Sequence, residues 1–368
     1  MLVYAFVSEV SPSAVINGLI INLRYAGLFY VGYILVRDNK LDSTLIKKLI
    51  FIPASIVIAF GFLQYTVLPS DILRHVGYGP DTIKPVQFID NNQNDIRILS
   101  TLRGPNPLGA YVMSVMALLF SWLLPKKRVV SLRELIASGV LLAMGMVVLF
   151  GSGSRSAWVG GFVALSYIIL RRMKRNMLIA FVIVGLIFGA VGWTVVVANK
   201  ESTFVQKHIL HTDPLEGSTI DSDDDRLTTI HSSVEDVVDE PLGIGVGAVG
   251  PASFRDDNPV IVENYYLQIA REIGVLGLLG YLAVLFIITW RLVWKTSPVE
   301  IGITGVWIGF LVVNLFLPAS TDETSTGIVW ILAGLGIGGL WSRGTDATIK
   351  PKARTYAEQK TKRRTAKA

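Results

Sequence analysis

Residues Met177–Ala198 read MLIAFVIVGLIFGAVGWTVVVA, without one Asp, Glu, Lys or Arg. About 20 mostly apolar residues are enough to cross the hydrocarbon core of a bilayer. The flanks set the direction of this crossing. Arg171, Arg172, Lys174 and Arg175 precede it, whereas the stretch 199–262 after it holds thirteen Asp/Glu against four Lys/Arg. Basic loops stay on the cytoplasmic side. The chain therefore leaves the cytoplasm at residue 177 and emerges outside at residue 198.

Eight further apolar stretches extend this reading, near 15–36, 46–68, 107–125, 134–150, 156–170, 272–290, 299–317 and 324–341. The first is the weakest, since it contains Asn17, Asn22 and Arg24. Every second connection is basic: Arg37 to Lys48, Lys126 to Arg133, Arg171 to Arg175, then Arg291 with Lys295. After Trp341 the tail carries nine Lys/Arg against Asp346 and Glu358. The expectation is an all-α polytopic bundle of about nine transmembrane helices. It forms a single membrane domain over 1–341, with outward loops 69–106 and 199–271. A basic cytoplasmic tail over 342–368 follows, suited to anionic headgroups. The N-terminus then lies outside without a signal-like start, which points to earlier spans absent from the chain or a miscounted first span.

Composition agrees. Of 368 residues, 51% are hydrophobic and 17% charged, with a net charge of +6; the mean hydropathy is +0.52. A soluble chain carries about 25% charged residues. Disorder, a coiled coil and an ordinary nucleic-acid-binding domain are excluded. With no cysteine, thiolate catalysis and cysteine metal sites are excluded too.

Three motifs look chemical and read more simply as structure. Gly245-Val-Gly247-Ala-Val-Gly250 matches a dinucleotide fingerprint, but Pro241 precedes it and Pro251 follows it where a strand and a helix are needed. A tight loop is the simpler reading. Asp221-Ser-Asp223-Asp224-Asp225 lacks the glycine and glutamate that complete a calcium loop. His208 and His211 give two ligands, too few for a zinc site.

Other segments carry more. Gly151-Ser-Gly-Ser-Arg155-Ser-Ala-Trp158 sets an arginine between two short spans. It is either a snorkelling residue at a hairpin turn or an anion site. Arg226 opens a stretch in which Leu227, Ile230, Val234, Val237 and Val238 keep helical spacing. That predicts an amphipathic helix on the membrane surface, with Arg226 either at its start or simply solvated. Glu263-Asn264-Tyr265-Tyr266 clusters a carboxylate, an amide and two tyrosines beside a span. This is an interfacial aromatic belt or a poised base. Arg97 and Arg103 lead into Gly104-Pro105-Asn106-Pro107, which marks the entry to the next span.

Together these segments resemble the O-antigen ligase and O-antigen polymerase superfamily of membrane glycosyltransferases. The turn ending in Arg155, Arg103 with Pro105-Asn106, and Arg226 followed by Pro241-Leu-Gly-Ile-Gly245 look like that family's motifs. The ligase branch has His-Asn, nine residues, then Gly-x-x-Gly. Here Asn264 and Gly274-Val-Leu-Gly277 fit, while Glu263 stands in place of the histidine. The resemblance implies a GT-C-like helical fold in a bacterial cytoplasmic membrane, with the active site facing outward. It implies a donor glycan on undecaprenyl diphosphate, a glycan, lipid or protein hydroxyl as acceptor, and neither metal nor other cofactor. Arg155 and Arg226 would receive the charge of the departing diphosphate. Glu263 would guide or deprotonate the acceptor. Arg103, Asn264, Tyr265 and His231 would bind substrate, His231 also serving as a reserve base. The missing histidine favours a surface-polysaccharide polymerase over a ligase to lipopolysaccharide core. The competing readings are a flippase for lipid-linked glycans and a non-catalytic scaffold of wall synthesis.

Overall fold

The computed structural model describes residues 10–38, 43–79, 81–89, 92–124, 131–172, 175–199, 202, 222–255 and 259–339. The acidic run at Asp221, His208 with His211, and the basic tail over 342–368 lie outside or at the edge of these residues. Ten α-helices make up most of the described residues. They are α1 Pro12–Arg37, α2 Ser43–Thr66, α3 Pro105–Leu123, α4 Leu132–Gly151 and α5 Arg155–Arg172, then α6 Arg175–Ala198, α7 Ser222–Asp239, α8 Tyr265–Val293, α9 Pro298–Val313 and α10 Glu323–Gly338. Among the described residues, α1, α3, α4, α8 and the stretch Leu45–Thr66 of α2 are long and apolar enough to cross a membrane. Helices also stand at the other four predicted segments, with α9 and α10 only 16 residues each.

Most helix starts are written into the sequence. Ser131 and Glu134 form a reciprocal capping box at α4, which satisfies two otherwise orphaned N–H groups. Ser297 accepts from Glu300 N at α9, and Asp322 from Thr324 N and Ser325 N at α10. Pro105 fills the first position of α3, where its missing N–H costs nothing.

The core is a group of close helix pairs: α1 on α10, α5 on α9, and α3 against both α5 and α9. Gly160 and Gly309 let α5 and α9 meet backbone to backbone, since a Cβ on Gly309 would sit 2.5 Å from the Gly160 carbonyl oxygen. In lipid, where apolar burial gives little drive, close approach through small residues holds helices together. Trp307 is buried at the centre, edge-on to Trp330 at 5.2 Å, and its indole N–H donates to Thr289 Oγ1 at 2.8 Å. By contrast α4 shows most of its apolar surface outward.

Two details depart from the sequence reading. The outward segment 69–106 is not wholly irregular: β1 Gln87–Ile89 and β2 Asn92–Arg97 pair antiparallel within it. The second departure is that the last outward stretch is already helical at Tyr265. α8 then breaks at Gly274, whose φ of 73° and ψ of 177° are open to glycine alone.

Candidate active site

The Ser-Gly-Ser-Arg turn joins α4 to α5 and is fixed from outside. Ile98 N donates to the Gly151 carbonyl at 3.0 Å, and Arg97 Nε to the Ser152 carbonyl at 2.8 Å. Arg97 also reaches Asn106 Oδ1 at 2.6 Å. The turn, β2 and the start of α3 are thus one block. Ser152 and Ser154 are buried within it, and Arg155 is half-buried in the first turn of α5. The glycine contact between α5 and α9 puts Arg155 at the Val313 end of α9.

Glu263 arrives at that same end of α9. Tyr265 N donates to the Asn314 carbonyl at 3.1 Å, and Asn264 Nδ2 to the Leu315 carbonyl at 2.9 Å. Asn264 Oδ1 accepts from Tyr266 N and Leu267 N, so this amide caps α8 and pins it to α9. Asn264 was expected to hold substrate; both ends of its amide are spent on the fold. Tyr265 also departs from expectation. It is 2% exposed, and its hydroxyl donates to Asn22 Oδ1 at 3.0 Å, so it forms interior rather than site wall.

Arg103 is exposed, two residues before the start of α3. Its Nη1 is 3.1 Å from Glu323 Oε2, while Arg24 Nη1 is 2.9 Å from Glu323 Oε1. Arg24 Nη2 adds bonds to Tyr25 Oη and the Thr321 carbonyl. Burial pushes the Glu323 carboxyl up, but hydrogen bonds and charge from Arg24 and Arg103 outweigh it and hold it below the usual carboxylate range. Glu323 thus holds two guanidinium groups at once, with the Asp322 carboxylate one residue away. Sequence reading missed Glu323. It read Arg24 only as a flaw in a span, although an arginine inside an apolar run is itself a signal.

The expected helix at Arg226 is present as α7. Its far end is tied to α8 by the ion pair of Asp236 with Arg271 at 2.9 Å. Arg226 stands near the opposite end. His231 faces solvent, 3.3 Å from Glu235 one turn on. The structure thus places Arg155 and Glu263 toward the same end of α9, pairs Arg103 with Glu323, and sets His231 beside Glu235.

The glycine run Pro241–Gly250 is a clamp. No strand precedes it, and only a 3₁₀ turn, Gly250–Arg255, follows. Ile244 N and Gly245 N donate to the Arg271 and Glu272 carbonyls, and Val275 N to the Pro241 carbonyl. These bonds satisfy backbone groups released by the break in α8. Glu272 is buried at 1% exposure, accepting from Asn22 Nδ2 at 3.0 Å and Gly247 N at 3.3 Å. Asn22, the other apparent flaw in α1, therefore links α1, the clamp and α8. Among the described residues no three His, Asp or Glu side chains gather as metal ligands.

Residues 137–282 match the model of the O-antigen ligase family. This is the superfamily that the motifs resemble, and the matched stretch runs from α4 into α8. It includes Arg155, Arg226, His231, Glu263, Asn264 and Tyr265, and excludes Arg103, Arg24 and Glu323. The chain is largely helical, with several helices apolar enough to cross a membrane, and over residues 137–282 it is similar to the O-antigen ligase family. No curated protein matches the chain.

Proposed function

We propose that the chain transfers a glycan from an undecaprenyl diphosphate carrier to a hydroxyl acceptor on the outer face of a bacterial cytoplasmic membrane, in polymerisation of a surface polysaccharide. Nine crossings in a GT-C-like arrangement go with this reading. The observation that carries it is the placement of Arg155 and Glu263 at one end of α9, both inside the family-matched stretch. Arg155 also stands at a helix N-terminus, where free backbone N–H groups and the helix dipole favour an anion.

In the reaction the bond from the sugar's anomeric carbon to the diphosphate oxygen breaks, and that oxygen gains negative charge. Arg155 receives that charge, and Arg226 is the second cation assigned to it. Arg103, exposed beside Glu323, draws the diphosphate in. The acceptor hydroxyl forms the new bond to the anomeric carbon while Glu263 accepts its hydrogen bond or its proton. A cationic group aimed at developing charge is commonly worth about 100- to 1,000-fold in rate.

The break in α8 is the one feature that a transporter would share. Here the clamp fills it with protein backbone. The test is the purified chain in detergent, without any ion gradient, supplied with a lipid-linked glycan. Longer glycans support the transferase; an unchanged donor favours a flippase or a scaffold.

A further inference from the structure

A second recess lies away from that site. Between α2, α3 and α4 a groove of about 590 Å³ opens on the outside of the helix bundle. Its rim and its floor differ in chemistry. At the rim are Lys47, four residues into α2, Glu134 in the first turn of α4, and Trp122 at the end of α3. Lys47 Nζ lies 3.7 Å from the Trp122 ring centroid, a cation–π contact that fixes the ammonium at the opening. The floor is lined by Ala59, Leu141 and Met144. Lys47 and Ala59 are twelve residues apart on one helix, about 18 Å at 1.5 Å per residue.

The rim belongs to the cytoplasmic ends of these helices, because Lys48 and Arg133 flank it and basic residues mark that side. A groove charged at headgroup depth and apolar for about 18 Å inward has the profile of a membrane phospholipid. The rim also carries both signs. A lysine in the opening turns of α2, where the helix dipole also favours an anion, suits a phosphate. A carboxylate on the neighbouring helix suits a cation. A singly anionic headgroup would answer Lys47 and meet Glu134 unfavourably.

We infer that this groove is a binding site for one inner-leaflet phospholipid bearing both a phosphate and a primary ammonium. The phosphate sits at Lys47, the ammonium at Glu134, and one acyl chain lies along the floor toward Ala59 and Met144. The site stands apart from Arg155 and Glu263, at the opposite end of the bundle, so it does not depend on the proposed reaction.

The test uses the full chain, purified and delipidated in detergent, with phosphatidylethanolamine, phosphatidylglycerol or phosphatidylcholine added back. Thermal melting and native mass spectrometry are the readouts. Phosphatidylethanolamine should raise the melting temperature most and stay bound at the highest collision energy. Lys47→Gln should abolish that advantage. Glu134→Gln keeps the capping box, because glutamine serves there as glutamate does, and should move the preference to phosphatidylglycerol. Ser138→Leu, which fills the groove, should remove the lipid-dependent shift while melting normally without lipid. Equal shifts from all three lipids in the unaltered protein would overturn the assignment. So would an ethanolamine preference that survives Lys47→Gln and Ser138→Leu.

Discussion

Two glycine-rich segments of this molecule use glycine in opposite ways. The turn Gly151–Ser154 is compact and held from outside by Arg97 and Ile98, and it releases the chain into α5 with Arg155 at its first turn. The run Pro241–Gly250 looks richer in motif, yet its amides are turned inward on the broken α8 and on Glu272. The first segment presents a side chain; the second closes a gap in the fold. A glycine pattern is therefore interpretable only through what its N–H groups bond.

That contrast can be broken by substitution. The largest effect is expected from Gly243→Val or Gly274→Ala. Both positions have positive φ, and a Cβ on Gly243 would lie 2.5 Å from Gly274 N. Neither variant should give monodisperse protein on size exclusion in detergent; normal yield would mean the clamp is not required. Next comes Glu263→Ala, which should fold normally and lose about 100-fold or more in glycan transfer, within the usual range for general acid–base groups. Glu263→Asp should recover part of it. Retained activity in the alanine variant would remove Glu263 from the reaction.

Smaller changes sharpen the comparison. Glu272→Ala leaves Asn22 Nδ2 and Gly247 N without their acceptor. A buried donor left unsatisfied costs about 1–3 kcal/mol, so the melting temperature should fall while transfer by the surviving folded protein stays near normal. A fall in transfer rate with unchanged melting would contradict a structural role. Glu323 should make stability pH-dependent. Its carboxyl is held below the usual range, so its contribution is complete above the ordinary carboxylate pKa and fades as pH falls through the lowered value. The side chain is 54% exposed, so solvent screening keeps the effect small. Melting of Glu323→Gln should match the parent at low pH and fall below it at neutral pH. Least of all, His231→Ala should change neither stability nor transfer measurably, since exposed pairs such as His231 with Glu235 contribute about 0–1 kcal/mol.

Much of the fold was legible because the bilayer simplifies the code. Apolar runs marked the helices, and the Gly104–Pro107 run marked the entry to α3, which starts two residues before the expected span. Asn264 carried its structural meaning openly, as an asparagine just before a helix, but its place beside Glu263 drew it toward the site instead. What no local pattern could show were partners far apart in the chain. Glu323 meets Arg24 across 299 residues and Arg103 across 220, and Asn22 meets Glu272 across 250. The break at Gly274 was likewise hidden, because its cause is the carbonyl of Pro241 on another segment. Polar residues that weakened α1 as a span, Asn22 and Arg24, turn out to be its two long-range anchors.

The central claim is that Arg155 receives the lipid diphosphate as it departs. Its most direct measurement is release of undecaprenyl diphosphate from a lipid-linked glycan by purified protein, comparing the parent with Arg155→Ala at matched fold and concentration. The account predicts one lipid diphosphate released per glycan transferred by the parent, and a rate lower by about 100-fold or more in the variant. Equal release rates, or glycan movement with the carrier bond intact in the parent, would contradict it.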